Sequence, residues 1–188
     1  QGFPPPYFSL RITPSKRVLK TLGEPQVIYV LAEIKPDPRF TQDMRQDAPL
    51  NLSIVIDRST SMNGPRLDQV KQAAHRIIDS LGPDDILSLV SFSDRAEVVF
   101  EATPVVEKPS LRAMASTMQA SGGTEIFQGL EAGVKQVRRS LDRKFVNHVI
   151  LLTDGQTYGD EHKCLQLAEE ITQEGIGISA MGIGQEWN

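Results

Sequence analysis

The chain has 188 residues, of which 39% are hydrophobic and 23% charged. This length suits one well-buried domain with a small appendage and is too short for two full-sized domains. Twenty basic and twenty-four acidic residues give a net charge of −4, which argues against nucleic acid as the main ligand. No apolar run approaches the roughly 20 residues of a membrane-spanning helix, so direct membrane insertion is not expected.

Cys164 is the single cysteine. Because it cannot form an internal disulfide, the fold must depend on its hydrophobic core. A lone cysteine and the absence of a basic-then-apolar leader slightly favour a reducing, cytoplasmic location. A start at Gln1 is also compatible with a signal peptide that has been removed, so the sequence leaves the location unknown.

Residues 1–48 are expected to form a β appendage, part of a sandwich-like segment. The alternating residues from Tyr7 to Ile12 and the apolar run from Val27 to Ile34 predict two strands with proline-rich segments around them. Two strands alone are marginally stable in water. We therefore expect the appendage to pack against the main domain or to pair with a further segment of polypeptide.

Residues 49–188 alternate apolar strands with amphipathic helices, which predicts an α/β, Rossmann-like domain. The expected sheet is open and mainly parallel, with helices on both faces and one antiparallel edge strand that follows the tight connection Ser93-Asp94-Arg95. The predicted strands are Leu52–Ile56, Ile86–Phe92, Ala96–Phe100, Val146–Thr153 and Ile176–Ile183. The predicted helices are Leu67–Leu81, Leu111–Met118, Ile126–Leu141 and Cys164–Ile171. Ligands of such sheets bind beyond the carboxyl ends of the strands.

Three predicted loops at that edge carry oxygen-bearing side chains. The segment Asp57-Arg58-Ser59-Thr60-Ser61 follows a buried strand, Gly122-Gly123-Thr124 leads into a helix, and Thr153-Asp154-Gly155 follows a later strand. A carboxylate and two hydroxyls at alternate positions of a tight loop can turn their oxygens toward one point. This arrangement suits a hard cation, and Mg²⁺ in particular needs only one or two carboxylates because it keeps several waters.

Asp57, Ser59, Ser61, Thr124 and Asp154 together resemble the metal-ion-dependent adhesion site of von Willebrand factor type A domains. The resemblance implies that Ser59 and Ser61 bind a divalent metal through their hydroxyls. It also implies that Asp57 and Asp154 act largely through bound waters, and that Thr124 binds directly or through water. Mg²⁺ is the expected metal, with Mn²⁺ or Ca²⁺ as alternatives.

A metal held by only two carboxylates keeps its attraction for further anions, so a glutamate or aspartate of a partner protein could complete its coordination. The resemblance therefore predicts a metal-dependent protein–protein interaction module and not an enzyme. It also implies that a further strand and a final helix normally follow, so the domain at 49–188 is expected to lack its C-terminal strand and helix.

Each site residue also has an ordinary structural interpretation. Thr124 could cap the helix that follows it, while Ser59, Ser61 and the Asp154-Gly155 pair could be turn residues. These interpretations do not explain why two strand-end aspartates, two spaced hydroxyls and a loop threonine coincide in a switch-point layout.

Two other functions remain open from the sequence. A strand-end Asp57 also suits a Mg²⁺-dependent phosphotransferase of the haloacid dehalogenase type, although Ser59 stands where that class has a second aspartate. The other is a scaffold whose metal site is vestigial.

Overall fold

The computed structural model describes residues 8–16, 28–36, 48–155 and 159–183. The chain divides into two compact units, residues 1–47 and residues 48–188. Tyr7 and Val27, which were expected to begin the first two strands, lie outside the described residues. Within the described ranges, none of the helices combines the length and the apolar composition needed to cross a membrane.

The first unit contains a two-stranded antiparallel sheet, β1 (Phe8–Pro14) and β2 (Val30–Pro36). The register pairs Leu10 with Ile34, so alternate apolar side chains of both strands share one face. That face is open, since Leu10 is 62% and Ile34 70% exposed. The other face carries charged side chains, such as Arg11, which lies 3.9 Å from Glu33.

The second unit contains a five-stranded sheet. Its strands are β3 (Leu50–Asp57), β4 (Ile86–Phe92), β5 (Ala96–Pro104), β6 (Val146–Thr153) and β7 (Ile176–Gly182). The spatial order is β5-β4-β3-β6-β7, in which only the β4–β5 pair is antiparallel. The mainly parallel Rossmann-like sheet with one antiparallel edge strand is therefore confirmed.

Within the described part of this unit, four helices cover the two faces of the sheet. They are α1 (Pro65–Ser80), α2 (Lys108–Ser116), α3 (Ile126–Arg138) and α4 (Glu161–Gln173). Residues of α1 and α2 pack with Ile54 and Ile56 on one face, whereas residues of α3 and α4 pack with Val55 on the other. Successive strand residues point to opposite faces, so β3 is apolar at every position from Ile54 to Ile56 because both of its faces are covered.

The helices that lead to the two neighbours of β3 lie on opposite faces of the sheet. The chain passes from β3 through α1 to β4 on one side, and later through α3 to β6 on the other side of β3. The carboxyl ends of β3 and β6 are therefore adjacent at a topological switch point, where open α/β sheets bind their ligands.

Candidate metal centre

Asp57 is the last residue of β3, and its side chain is fully buried. Its Oδ1 accepts the backbone N–H of Ser59 at 2.8 Å, and its Oδ2 accepts the hydroxyl of Thr153 at 2.8 Å. The parallel register pairs Ile56 with Leu152, which places Thr153 beside Asp57. These bonds fix the carboxylate at the junction of the loops that follow β3 and β6.

The surroundings of Asp57 disfavour its ionised form. Burial raises the pKa of this carboxyl above its usual 3.8, the hydrogen bonds from Ser59 and Thr153 offset part of the rise, and the negative charge of Asp154 adds to it. An opposite charge close by would reverse this balance. The electrostatics of the position therefore suit a bound cation.

Ser59 and Ser61 bring two hydroxyls together directly after Asp57. Their Oγ atoms lie 2.9 Å apart. Ser59 is buried and Ser61 exposed, so the pair reaches from the interior to the surface. A short 3-10 turn at Thr60–Met62 holds this geometry, because its last residue, Met62, is fully buried in the core.

The loop that carries Thr124 is bound to the Asp57 loop through the backbone. The N–H of Ser121 donates to the carbonyl of Arg58 at 2.8 Å, and the N–H of Thr60 donates to the carbonyl of Gly122 at 3.0 Å. The Thr60 hydroxyl donates to the same Gly122 carbonyl at 2.8 Å. Residues more than sixty positions apart are thus held side by side.

The two glycines before Thr124 make room for Asp94, whose Oδ1 accepts the N–H of Gly123 at 2.8 Å. A Cβ atom at Gly122 would lie 2.3 Å from Asp94 Oδ2, and one at Gly123 would lie 2.8 Å from Oδ1. Gly122 also has a positive φ of 75°, which favours glycine. The Gly-Gly pair therefore lets this loop close onto the end of β4.

Thr124 itself is half-buried, and its hydroxyl makes no hydrogen bond to any residue that the structure describes. Helix α3 begins at Ile126 with Glu125 as its N-cap residue. The alternative that Thr124 caps this helix is therefore wrong. Its hydroxyl is not used in capping and lies on the loop that faces the Asp57 segment.

Asp154 follows β6 and is buried. Its Oδ2 lies 3.5 Å from Nη1 of Arg66, and the same nitrogen donates to the carbonyl of Ser61 at 3.3 Å. A guanidinium therefore links the Asp154 loop to the Asp57 loop. Arg66 was not predicted as a site residue, although a signal was present: a cation in the first turn of a helix is disfavoured by the helix dipole and favours a nearby anion.

We expect Arg66→Gln to tighten Mg²⁺ binding several-fold, because it removes a positive charge that both competes for Asp154 and repels an incoming cation. Calorimetric titration of the parent and the variant with Mg²⁺ measures the change. The matched control is Arg76→Gln, which changes an exposed position farther along the same helix. Unchanged or weaker Mg²⁺ binding by Arg66→Gln alone would contradict this role.

Only some of the five predicted site residues are connected by hydrogen bonds of their side chains. Hydrogen bonds connect Asp57 to Ser59 and Ser59 to Ser61, while Arg66 links Ser61 to Asp154. The loop of Thr124 joins this group through its backbone. No cluster of three histidine, cysteine or acidic side chains able to hold a metal occurs among the described residues. The five predicted residues offer two carboxylates and three hydroxyls, and an all-oxygen set of this kind is what a hard divalent cation that keeps bound waters prefers.

Comparison with known proteins identifies the family. Residues 51–188 match the sequence model of the von Willebrand factor type A domain. The chain belongs to this family. Von Willebrand factor type A domains are metal-dependent protein-interaction modules, and the haloacid dehalogenase alternative receives no support.

Among curated proteins, the chain is 37% identical over 141 residues to the uncharacterized protein sll0103 of Synechocystis sp.. This match covers 74% of the chain but 33% of that relative. The chain thus spans a third of the length of this relative.

Two solved von Willebrand factor type A structures resemble the chain. Proximal thread matrix protein 1 from the mussel byssus, with a zinc-occupied metal-ion-dependent adhesion site, matches at a TM-score of 0.63 and 27% identity, covering 75% of this chain and 37% of that one. The manganese-loaded TRAP protein of Plasmodium vivax matches at 0.64 and 23% identity, covering 75% and 59%. The second likeness shows the shared fold.

Proposed function

We propose that this domain binds a partner protein through a divalent cation held by Asp57, Ser59, Ser61, Thr124 and Asp154. The observation that carries the proposal is the buried Asp57 carboxylate, which lies beside two hydroxyls 2.9 Å apart at the switch point of the sheet. The zinc in the adhesion site of proximal thread matrix protein 1 supports a divalent metal. We propose Mg²⁺ as the native ion because every donor is an oxygen.

The neutral and the charged site residues would contribute to metal binding in different ways. The neutral hydroxyls of Ser59, Ser61 and Thr124 would bind directly, while Asp57 and Asp154 would balance the charge of the ion, largely through waters. Arg66, next to Asp154, adds one positive charge to this balanced set. The site is therefore left with a net attraction for an anion, and the metal supplies an open coordination position for a carboxylate. A glutamate or aspartate of the partner fits that position.

Thr124→Ala tests the proposal at the ligand least involved in the fold. We expect Mg²⁺ affinity to fall by about tenfold or more, as is typical when a group that supports a metal site is removed. Calorimetry measures this affinity, and elution by EDTA measures the metal dependence of partner capture. Thr172→Ala is the matched control, because the Thr172 hydroxyl is exposed and bonds only within α4.

If Thr124→Ala bound Mg²⁺ as the parent does, and if partner capture were insensitive to EDTA, the proposal would be wrong. Metal-independent capture would then favour a scaffold that binds through other surfaces.

A further inference from the structure

The connection between β4 and β5 binds the loop that carries Thr124. The Ser93 carbonyl accepts the N–H of Glu125 at 2.9 Å, and Asp94 Oδ1 accepts the N–H of Gly123 at 2.8 Å. These two acceptors hold the residue before Thr124 and the residue after it. The β4–β5 connection therefore limits the position of Thr124 from both sides.

The same connection is anchored to the rest of the site. The carbonyl of Phe92, the last residue of β4, accepts the N–H of Arg58 in the Asp57 loop at 2.8 Å. Phe92 is also fully buried. Three consecutive residues thus contact both of the loops that lie beside them, and the end of β4 is a fixed base from which Asp94 reaches Gly123.

Thr124 depends on this support because its own side chain is not held. Its hydroxyl has no hydrogen-bond partner among the residues that the structure describes, so the backbone of its neighbours sets where the hydroxyl lies. Gly123 has no Cβ atom, and its backbone is therefore less restricted than that of other residues. A hydrogen bond at the Gly123 N–H removes much of this freedom directly beside the proposed ligand.

The contact made by Asp94 depends on its side chain. Ser93 acts through a carbonyl oxygen, which every residue has, whereas Asp94 supplies a side-chain acceptor. The carboxylate and Gly123 also fit closely, since a Cβ atom at Gly123 would lie 2.8 Å from Asp94 Oδ1. Asp94 is exposed, and substitutions at exposed positions usually have little effect. An effect of Asp94 on metal binding would therefore require a specific cause.

We propose that Asp94 is a positioning residue of the metal centre, whose carboxylate fixes the backbone at Gly123 and thereby the place of the Thr124 hydroxyl. This inference rests on the proposed function, since it concerns how one of the proposed ligands is held. Asp94 lies outside the three segments that carry the five proposed ligands. It acts on the cation through Thr124 and not by direct binding.

Asp94→Ala is expected to lower the affinity for Mg²⁺ by about tenfold, as the loss of a group that orients a metal ligand does. Asp94→Asn keeps an oxygen that can accept the Gly123 N–H, so it should retain more of the affinity. Calorimetric titration with Mg²⁺ measures both. The matched control is Asp84→Ala, which removes an exposed carboxylate in the turn after α1 and should bind Mg²⁺ as the parent does. Equal losses in Asp94→Ala and Asp94→Asn would assign the effect to charge and overturn the inference.

A double-mutant cycle tests whether Asp94 acts through Thr124. The loss of Mg²⁺ affinity caused by Asp94→Ala should disappear in a Thr124→Ala background, because the side chain that Asp94 positions is then absent. A purely structural role of Asp94 would give the same loss in both backgrounds. That additive result would overturn the inference.

A measurement without metal tests the hydrogen bond itself. In EDTA, the Gly123 amide should exchange its hydrogen with solvent faster in Asp94→Ala than in the parent, as followed by NMR. Asp84→Ala should exchange at the parent rate. Equal exchange of the Gly123 amide in Asp94→Ala and the parent would show that the carboxylate does not restrain this loop, and would overturn the inference.

The outcomes separate this inference from the proposed function. If Thr124→Ala weakens Mg²⁺ binding but Asp94→Ala does not, the inference is wrong and the proposed ligand set stands. If Thr124→Ala binds Mg²⁺ as the parent does, the proposed function fails and the inference fails with it.

Discussion

Asp57→Asn is expected to abolish the stabilisation of this domain by Mg²⁺ and, without metal, to make the protein more stable than the parent. Asp57 is a fully buried carboxylate whose pKa is raised by burial. Asparagine carries no charge; its oxygen can accept the N–H of Ser59, and its amide can donate to the hydroxyl oxygen of Thr153. The metal-free variant should therefore gain about 1 kcal/mol, the low end of the cost of a buried polar group, because the two hydrogen bonds already offset part of that cost.

The parent, in contrast, should gain about 2.7 kcal/mol from Mg²⁺ at a concentration one hundred times its dissociation constant. Melting curves of parent and variant with EDTA and with Mg²⁺ measure both effects. Asp84→Asn, which removes an exposed carboxylate in the turn after α1, is the control and should respond to Mg²⁺ as the parent does. An equal Mg²⁺ response in Asp57→Asn and the parent would contradict the assigned role.

The Asp57 carboxyl is expected to make the stability of the domain depend on pH. Its folded-state pKa lies above the unfolded value near 3.8, so the ionised form costs stability in the metal-free protein. This cost is absent below the unfolded pKa and appears as the pH rises through the folded pKa. Stabilisation by Mg²⁺ should follow the opposite course and disappear as the pH falls through that pKa, because a protonated Asp57 cannot balance the charge of the cation.

Gly129→Leu is expected to produce the largest loss of stability, about 3 kcal/mol, a value at the upper end for an overpacked core. Gly129 lies in α3 directly on the ring of Phe92, and a Cβ atom there would be only 2.4 Å from Cδ1. Phe92 is fully buried at the end of β4, so its ring cannot yield toward solvent. Helix α3 would have to move away from the sheet.

That movement should also reach the metal centre, because the N–H of Glu125, just before α3, donates to the Ser93 carbonyl at 2.9 Å. Denaturant unfolding measures the stability, and Mg²⁺ titration measures the site. Gln128→Leu introduces the same residue at the exposed neighbouring position and should leave both nearly unaltered. Equal unfolding midpoints for the two leucine variants would show that the contact with Phe92 does not limit the approach of α3.

Local patterns in the sequence determined most of the second unit. The unbroken apolar run of β3 predicted a strand covered on both faces, and the helical spacing from Leu67 onward predicted α1. Both are present. The sequence also determined which loops carry Asp57, Ser59, Ser61, Thr124 and Asp154, and it carried the resemblance that the family match confirms. These features depend on residues within one turn or one strand of each other, where steric and hydrophobic preferences act directly.

Element boundaries were less well determined, since β5 extends to Pro104 and not to Phe100, and α3 ends at Arg138 and not at Leu141. Helix and strand ends depend on competition between local bonds and tertiary packing, for which a single sequence gives no measure. Hydrophobic periodicity also weakens at the ends of an element. Periodicity therefore predicts the position of an element better than it predicts the residues at which the element begins and ends.

Only the tertiary structure decided which side chains meet. Thr153 donates to Asp57 across 96 residues of chain, Arg66 reaches Asp154, and the carboxylate of Asp160, at the start of α4, accepts the N–H of Phe127 in α3. Such contacts follow from strand order and register, which the cooperative packing of the whole sheet selects and no local pattern encodes.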